Sequence, residues 1–354
     1  MQMRDGNCSM PPWPPLLVAG LLAIITIAGS VWDGAKAHAA SPHAASPHAA
    51  GPHAASPHAA GPHGASRDSH VVRKAADKRV VHGPNYHPPY SAIVIDDNSG
   101  QVLHDDHADE PRHPASLTKI MTLYLLFEQL EAGTLKLDTP LRVSAFASLQ
   151  PPTKLGLKPN QTVTVEDAIK ALVTESANDA AVVVSEAIAG SEVEFAKVMT
   201  KKAKALGMTS TTYVNASGLP ADEQITTARD QALLGRAIQE HFPGYYHYFA
   251  TPSFRYHGLE MQNHNALLGQ VEGVDGVKTG YTEASGYNLV ASVHRKEKHL
   301  VAVVLGGTSK GMRNARMREL ITRYIPLATE HKQSYVRKPS EQEVPPNDAS
   351  IGNL

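Results

Sequence analysis

Apolar residues follow several distinct patterns along the chain. Leu16 to Val31 is a run free of charged residues, preceded by a short polar start containing Arg4 and Asp5. A membrane span needs about 20 apolar residues, so the run is short for one and fits a signal-peptide core. Ala35-Lys36-Ala37 and Ala37-His38-Ala39 supply small-x-small cleavage sites. Residues 1–37 are therefore expected to be a signal peptide, or a signal anchor if left uncleaved. Over 39–63 large apolar residues vanish, and Ala-Ala-[Ser/Gly]-Pro-His recurs from AASPH at 39–43 to AAGPH at 59–63. Proline at every fifth position without apolar bulk cannot build a core, so 38–88 is expected to be an extended, disordered linker.

Beyond Pro88 the pattern changes to that of a folded body, expected over 89–328. Ser91 to Ile95 is β-branched, Asp97-Asn98-Ser99-Gly100 is a turn signal, and Gln101-Val102-Leu103 answers it, which predicts a hairpin. Leu117 to Ala132 is densely apolar without Gly or Pro and is followed by Gly133, the mark of a buried helix. Thr164-Val165-Glu166-Asp167 opens a helix towards Thr174 in a capping-box pattern. Further helices are predicted over Asp179 to Ala189, Glu192 to Leu206, Thr227 to about Glu240, and Met312 to Tyr324. Tyr287 to His294 and Leu300 to Leu305 read as strands joined by Arg295 to His299. Strands near both ends with helices between predict an α/β or α+β body whose terminal segments share one antiparallel sheet. From Pro326 onward the chain turns polar and Pro-rich, and the tail, 329–354, is expected to be disordered.

Charge and cysteine use narrow the function classes. The formal net charge of the 354 residues is −1, so nucleic acid and anionic membrane surfaces are not the expected main partners. Cys8, the single cysteine, precedes the apolar run, so the cleaved chain would hold no thiol for disulfides, catalysis or metal binding. The repeat histidines His43, His48, His53, His58 and His63 could capture a metal ion weakly, imidazole suiting zinc, copper and nickel. A plain spacer is the simpler reading, because a disordered tract fixes no coordination geometry. Gly306-Gly307 lacks a phosphate-loop pattern. No cofactor is expected, and no metal in the folded body.

Three short motifs carry chemistry in order: Ser116-Leu117-Thr118-Lys119, Ser176-Ala177-Asn178 and Lys278-Thr279-Gly280. Each alone is weak. Lys119 could be a snorkelling surface lysine, the Ser-Ala-Asn-Asp string simple capping, and the third an ordinary tripeptide leading into a strand. Together, S-x-x-K, S-x-N and K-T-G form the trio of penicillin-binding proteins and class A β-lactamases. Ser116 would open a buried helix, where free N–H groups favour developing negative charge. Lys119, three residues on, returns to the same face among Ile120, Met121 and Leu123, where lost solvation lowers its pKa and suits it to act as a neutral base. Asp179 is expected to cap the helix that follows the second motif, and Lys278-Thr279-Gly280 to precede a strand, its glycine admitting another backbone or a ligand.

From about Tyr90 to Ala328 the chain resembles the D-alanyl-D-alanine carboxypeptidase family of low-molecular-mass penicillin-binding proteins. The resemblance rests on Pro114 to Lys119, Leu155-Gly156-Leu157-Lys158-Pro159, Ser176 to Ala180, Thr227 to Asp230 and Val274 to Thr282. It implies a β-lactamase/transpeptidase-like fold, an antiparallel sheet built from both chain ends, flanked by helices and joined by a helical subdomain. It also implies acyl transfer on peptidoglycan stem peptides in the periplasm or cell envelope, with β-lactams as inhibitors. Ser116 would attack the carbonyl between two terminal D-alanines and Lys119 would take its proton. Ser176 would pass a proton to the leaving D-alanine, with Asn178 orienting substrate and lysine. Backbone N–H groups of Ser116 and Tyr281 would form the oxyanion hole beside Gly280, and Lys278 and Thr279 would bind the terminal carboxylate. Ala177 replaces a frequent Gly, and Asn263-His264-Asn265 carries His where the family often has Arg. If that position binds carboxylate, His264 is expected to weaken binding as its ring loses a proton. Only 26 residues follow Ala328, so the family's frequent second domain and C-terminal anchor are expected to be absent. The rivals are a D-Ala-diaminopimelate endopeptidase, a β-lactamase (although no E-x-x-L-N string follows S-x-N) and a His-rich metal chaperone with a degenerate domain.

Overall fold

In the computed structural model, residues 86–330 are described. The expected signal segment, the His-containing repeats and the tail beyond Glu330 lie outside the described residues. Chain order runs β1 (Ser91–Asp96), β2 (Val102–Asp106), α1 (Thr118–Glu131), β3 (Pro140–Arg142), α2 (Ala145–Ser148), β4 (Thr162–Thr164), α3 (Val165–Val173), α4 (Asn178–Ala189) and α5 (Glu192–Ala205). It continues through α6 (Ala228–His241), α7 (Pro243–Tyr246), β5 (Ser253–Tyr256), β6 (Leu259–Gln262), β7 (Val274–Thr282), β8 (Gly286–Arg295), β9 (Lys298–Gly307) and α8 (Lys310–Tyr324).

The central sheet has five strands in the order β2-β1-β9-β8-β7, every neighbouring pair antiparallel. The two ends of the folded chain meet inside it, Ser91 opposite Leu305 and Ile93 opposite Val303. Both faces are covered, so β1 reads as an apolar run with all six residues buried. Alternate side chains serve different layers. Ala92, Val94, Ala291, Val293, Ala302 and Val304 pack with Met317, Leu320 and Ile321 of α8. Ile93, Ile95, Val290, Val301 and Val303 face the larger core, which holds nearly the whole of α1 and the apolar sides of α3 to α6. No helix among the described residues is long and apolar enough to cross a membrane.

The predicted caps of α3 and α6 form as expected: Thr164 accepts from Asp167 N, and Thr227 from Asp230 N. Several expectations need correction. Lys278-Thr279-Gly280 lies within β7 rather than before a strand. α4 starts at Asn178 behind Ala177, which supplies no side-chain cap, and the Asp179 carboxylate serves a neighbouring loop. Residues from Pro326 to Glu330 do not run off as a loose tail: Ala328 is buried, and Thr329 donates to Asp96 from both N and Oγ1. Order begins before Tyr90, since the Tyr86 hydroxyl donates to the Ala284 carbonyl. The two-stranded sheets β3–β4 and β5–β6 had no sequence signal, their strands being three or four residues long.

Candidate active site

Three segments distant in sequence meet around Ser116. The first is the 3-10 turn Ala115–Leu117, which runs straight into α1. Ala115 has φ +48°, a left-handed conformation that costs a non-glycine residue about 1–2 kcal/mol, so its surroundings must enforce it. One turn on, Lys119 is fully buried. Its Nζ lies 3.2 Å from Ser116 Oγ and donates to Asn178 Oδ1 at 2.8 Å and to the Ser217 carbonyl at 2.5 Å. Burial first, and the nearby Lys278 charge second, hold the Lys119 ammonium well below the ordinary lysine pKa; Glu192 and Asp179 oppose this. A neutral amine has two N–H bonds and one lone pair. The two carbonyl oxygens can only accept, so the lone pair is left for the Ser116 hydroxyl.

The second segment links α3 to α4. Ser176 is buried at φ +63°, and its Oγ has no hydrogen-bond partner among the described residues. Asn178 donates from Nδ2 to the Pro151 carbonyl (2.9 Å) and from its backbone N to Thr153 O (2.7 Å). The Asp179 carboxylate accepts from the backbone N of Leu155, Gly156 and Leu157. These bonds clamp residues 151–157 onto the start of α4, which makes Pro152 and Thr153 a wall of the site.

The third segment is the edge strand β7. A Cβ on Gly280 would stand 3.1 Å from both Pro114 O and Ser116 N, so the glycine admits the backbone of the Ser116 turn, as its motif suggested. Lys278 is buried and donates to Thr279 O; burial, and then Arg313, bring its pKa down to about 7 against the pull of Glu175. The Tyr281 ring is half exposed and packs on Tyr287 with centroids 4.3 Å apart.

Between the three segments lies a cavity of about 280 Å³ lined by Ser116, Ser176, Asn178, Thr279 and Tyr281, with Pro152, Thr153, Gly218, Leu219, Thr282 and His264 completing it. Lys119 and Lys278 flank it from within the protein. His264 is thus brought to the cavity, but not with the expected behaviour. Burial first, then Lys278, Lys310, Arg313 and Lys119, push its pKa to about 4. The ring is therefore neutral through the pH range in which it was expected to titrate.

Sequence reasoning missed two supports of the turn. Gly218, at φ +86°, packs so tightly that a Cβ there would fall 1.9 Å from Ala115 O. Asn288, buried in β8, donates to the carbonyls of His113 (3.2 Å) and Pro114 (3.3 Å) while accepting from Gly306 N. The Ser217 carbonyl was missed as well, since a backbone acceptor leaves no trace in residue type.

A family model described as D-alanyl-D-alanine carboxypeptidase matches residues 79–309. The D-alanyl-D-alanine carboxypeptidase DacA of Escherichia coli (strain K12) is 38% identical over 239 residues, which cover 66% of this chain and 59% of that protein. DacF of Bacillus subtilis (strain 168) is 35% identical over 240 residues, covering 66% and 61%. The chain thus spans about three fifths of the length of these relatives. Penicillin binding protein 5 from Haemophilus influenzae superposes with a TM-score of 0.65 at 30% identity, over 69% of this chain and 73% of that one. Penicillin-binding protein D2 from Listeria monocytogenes, solved in a cefotaxime-bound form, gives 0.61 at 31% identity, over 68% and 98%.

Proposed function

The chain belongs to the D-alanyl-D-alanine carboxypeptidase family, and from that premise we propose that it is a serine hydrolase that removes the terminal D-alanine from peptidoglycan stem pentapeptides. The observation that carries the reading is Lys119 Nζ, buried, depressed in pKa and 3.2 Å from Ser116 Oγ. Neutral Lys119 takes the hydroxyl proton as Ser116 Oγ bonds to the carbonyl carbon between the two D-alanines. The backbone N–H groups of Ser116 and Tyr281 receive the oxyanion. The C–N bond then breaks, and the leaving amine takes a proton through Ser176, whose hydroxyl has no competing partner among the described residues. Asn178 holds Lys119 and the 151–153 wall together. Lys278 and Thr279 bind the terminal carboxylate. Water hydrolyses the ester and returns Ser116 to its free form.

A β-lactam presents a carbonyl and a carboxylate in the same arrangement and acylates the same serine. The cefotaxime-bound relative supports this part of the reading. Action in the cell envelope is supported by the uncharged run Leu16 to Val31 with its small-x-small sites, and by the location of the proposed substrate.

The test is D-alanine release from a pentapeptide ending in D-Ala-D-Ala, with a penicillin-blocked control. Release abolished by penicillin is the expected result. Penicillin labelling of Ser116 without D-alanine release would instead move the reading to a D-Ala-diaminopimelate endopeptidase. Rapid turnover of the label would move it to a β-lactamase.

A further inference from the structure

The Ser217 carbonyl holds one N–H of Lys119, yet it belongs to none of the three motifs. A backbone carbonyl is aimed only as well as its loop is fixed. The loop Asn215 to Leu219 is fixed chiefly by side chains. Asn215 Oδ1 accepts from Gly218 N at 2.7 Å, and Asn215 Nδ2 donates to Leu219 O at 3.0 Å. Gln224, buried at 2% exposure, completes the frame. Its Oε1 accepts from the N of Val214 and Asn215, both at 3.1 Å, and its Nε2 donates to Asn215 Oδ1 and Leu219 O, both at 3.3 Å. On the other side of Ser217, Ala216 is held by Glu192 and Thr122.

We infer that Gln224 is a positioning residue for the acyl-transfer step, keeping the Ser217 carbonyl on Lys119 through Asn215. The inference rests on the acyl-transfer function proposed above. With the carbonyl in place, a neutral Lys119 spends both N–H bonds on Ser217 and Asn178 and turns its lone pair to Ser116. If the loop loosens, the amine can rotate, and a misplaced base costs rate even when it stays neutral. The protonated amine also loses an acceptor, so its pKa falls further. The charged and titratable groups facing Lys119 are Lys278 from β7, Asp179 from α4, Glu192 from α5 and His264 from the segment before β7. A Gln224→Met substitution replaces none of them, and the loop it loosens carries both the Ser217 carbonyl and the Ala216 N–H that Glu192 accepts, so a shift in the pH profile reports on that loop.

The experiment is the pH profile of Ser116 acylation by a labelled penicillin in the full chain, with rates normalised to the sites labelled at completion. Gln224→Met is expected to lower the plateau rate roughly tenfold or more and to move the acid limb to lower pH by about half a unit. Asn215→Ala, which removes the relay without emptying the buried Gln224 site, is expected to act in the same direction. It provides the reading if Gln224→Met does not fold. A plateau and limb equal to wild type, or a lowered plateau with an unmoved limb, would overturn the inference. Wild-type protein that takes no label at all would overturn the acyl-transfer reading on which it stands.

Discussion

Asn288, near the start of β8, donates its side-chain amide to the carbonyl of Pro114, two residues before Ser116. The turn that carries Ser116 is thereby hung from β8, and Ala115, in its left-handed conformation, is held where α1 starts. The same amide also serves His113 O and Gly306 N.

Replacing Asn288 by Leu fills similar space but strands a buried N–H and removes the donor to two carbonyls. Each orphaned group costs about 1–3 kcal/mol; Pro114 O keeps the N–H of Leu117, which leaves Gly306 N–H and His113 O, so a loss of roughly 2–6 kcal/mol is expected, read as a lower urea midpoint at unchanged slope. Penicillin acylation per folded molecule should fall about tenfold, because the turn is no longer pinned. A stable variant with wild-type acylation would show that α1 alone positions Ser116.

Lys119→Met nearly keeps the volume of the side chain and removes the proposed base. Acylation is expected to fall by roughly a thousandfold, within the range for losing a positioned general base, while the fold survives. In the wild type, acidification is expected to protonate Lys119 and remove activity. Because burial and Lys278 depress the lysine, the acid limb must lie well below the ordinary lysine range. The pH profile of penicillin acylation checks this, and a limb near the free lysine value would remove Lys119 from the role.

Four strands of the sheet (β1, β2, β8 and β9), the long helices and the three motifs were legible because each is written in residue type. Continuous apolar runs mark β8 and β9, Thr caps mark α3 and α6, and Ser, Lys and Asn carry chemistry in their side chains. What stayed hidden acts through backbone or depends on tertiary neighbours. Nothing in Asn215-Ala216-Ser217-Gly218-Leu219 states that the carbonyl of Ser217 meets a lysine 98 positions away. Asp179 has the residue type of a helix cap, yet the 155–157 loop offers it three N–H groups, and that packing won. His264 followed the same rule. A histidine in a cavity suggests titration near neutrality, but burial among Lys278, Lys310 and Arg313 removes its proton much earlier.

That correction changes the expected pH dependence of substrate binding. Lys278, buried beside the cavity, has its pKa brought down to about 7 and so changes charge near neutral pH, and in the proposed reaction its protonated form binds the substrate carboxylate. KM is therefore expected to be flat between pH 5 and 6.5 and to rise above about 7, by up to roughly tenfold per unit where the neutral form dominates. His264→Asn should keep the shape of that curve. Steady-state kinetics across pH 5 to 9 on both proteins decides it: a rise in KM that begins near pH 5 and is lost in the variant would restore the role to His264.

The same lysine sets the last expectation, which concerns stability. Lys278 is buried, makes one hydrogen bond among the described residues, to Thr279 O, and is opposed by Arg313, so its charge is costly to hold in the folded state. Its folded pKa of about 7 lies below the ordinary 10.5. Below pH 7 both folded and unfolded chains carry the proton, and the folded state bears the full penalty. Between 7 and 10.5 the unfolded chain binds a proton that the folded one does not, so stability rises with pH and the penalty fades. Lys278→Met removes the charge at nearly constant volume. It is expected to stabilise the fold by roughly 1–4 kcal/mol at pH 6, with the gain shrinking steadily towards pH 10, while KM for the D-Ala-D-Ala peptide rises sharply. Urea denaturation at pH 6 and pH 9 measures the difference directly. A variant less stable than wild type at pH 6 would mean that Glu175 and the Thr279 carbonyl compensate the buried charge in full, and that this lysine strengthens the fold it serves.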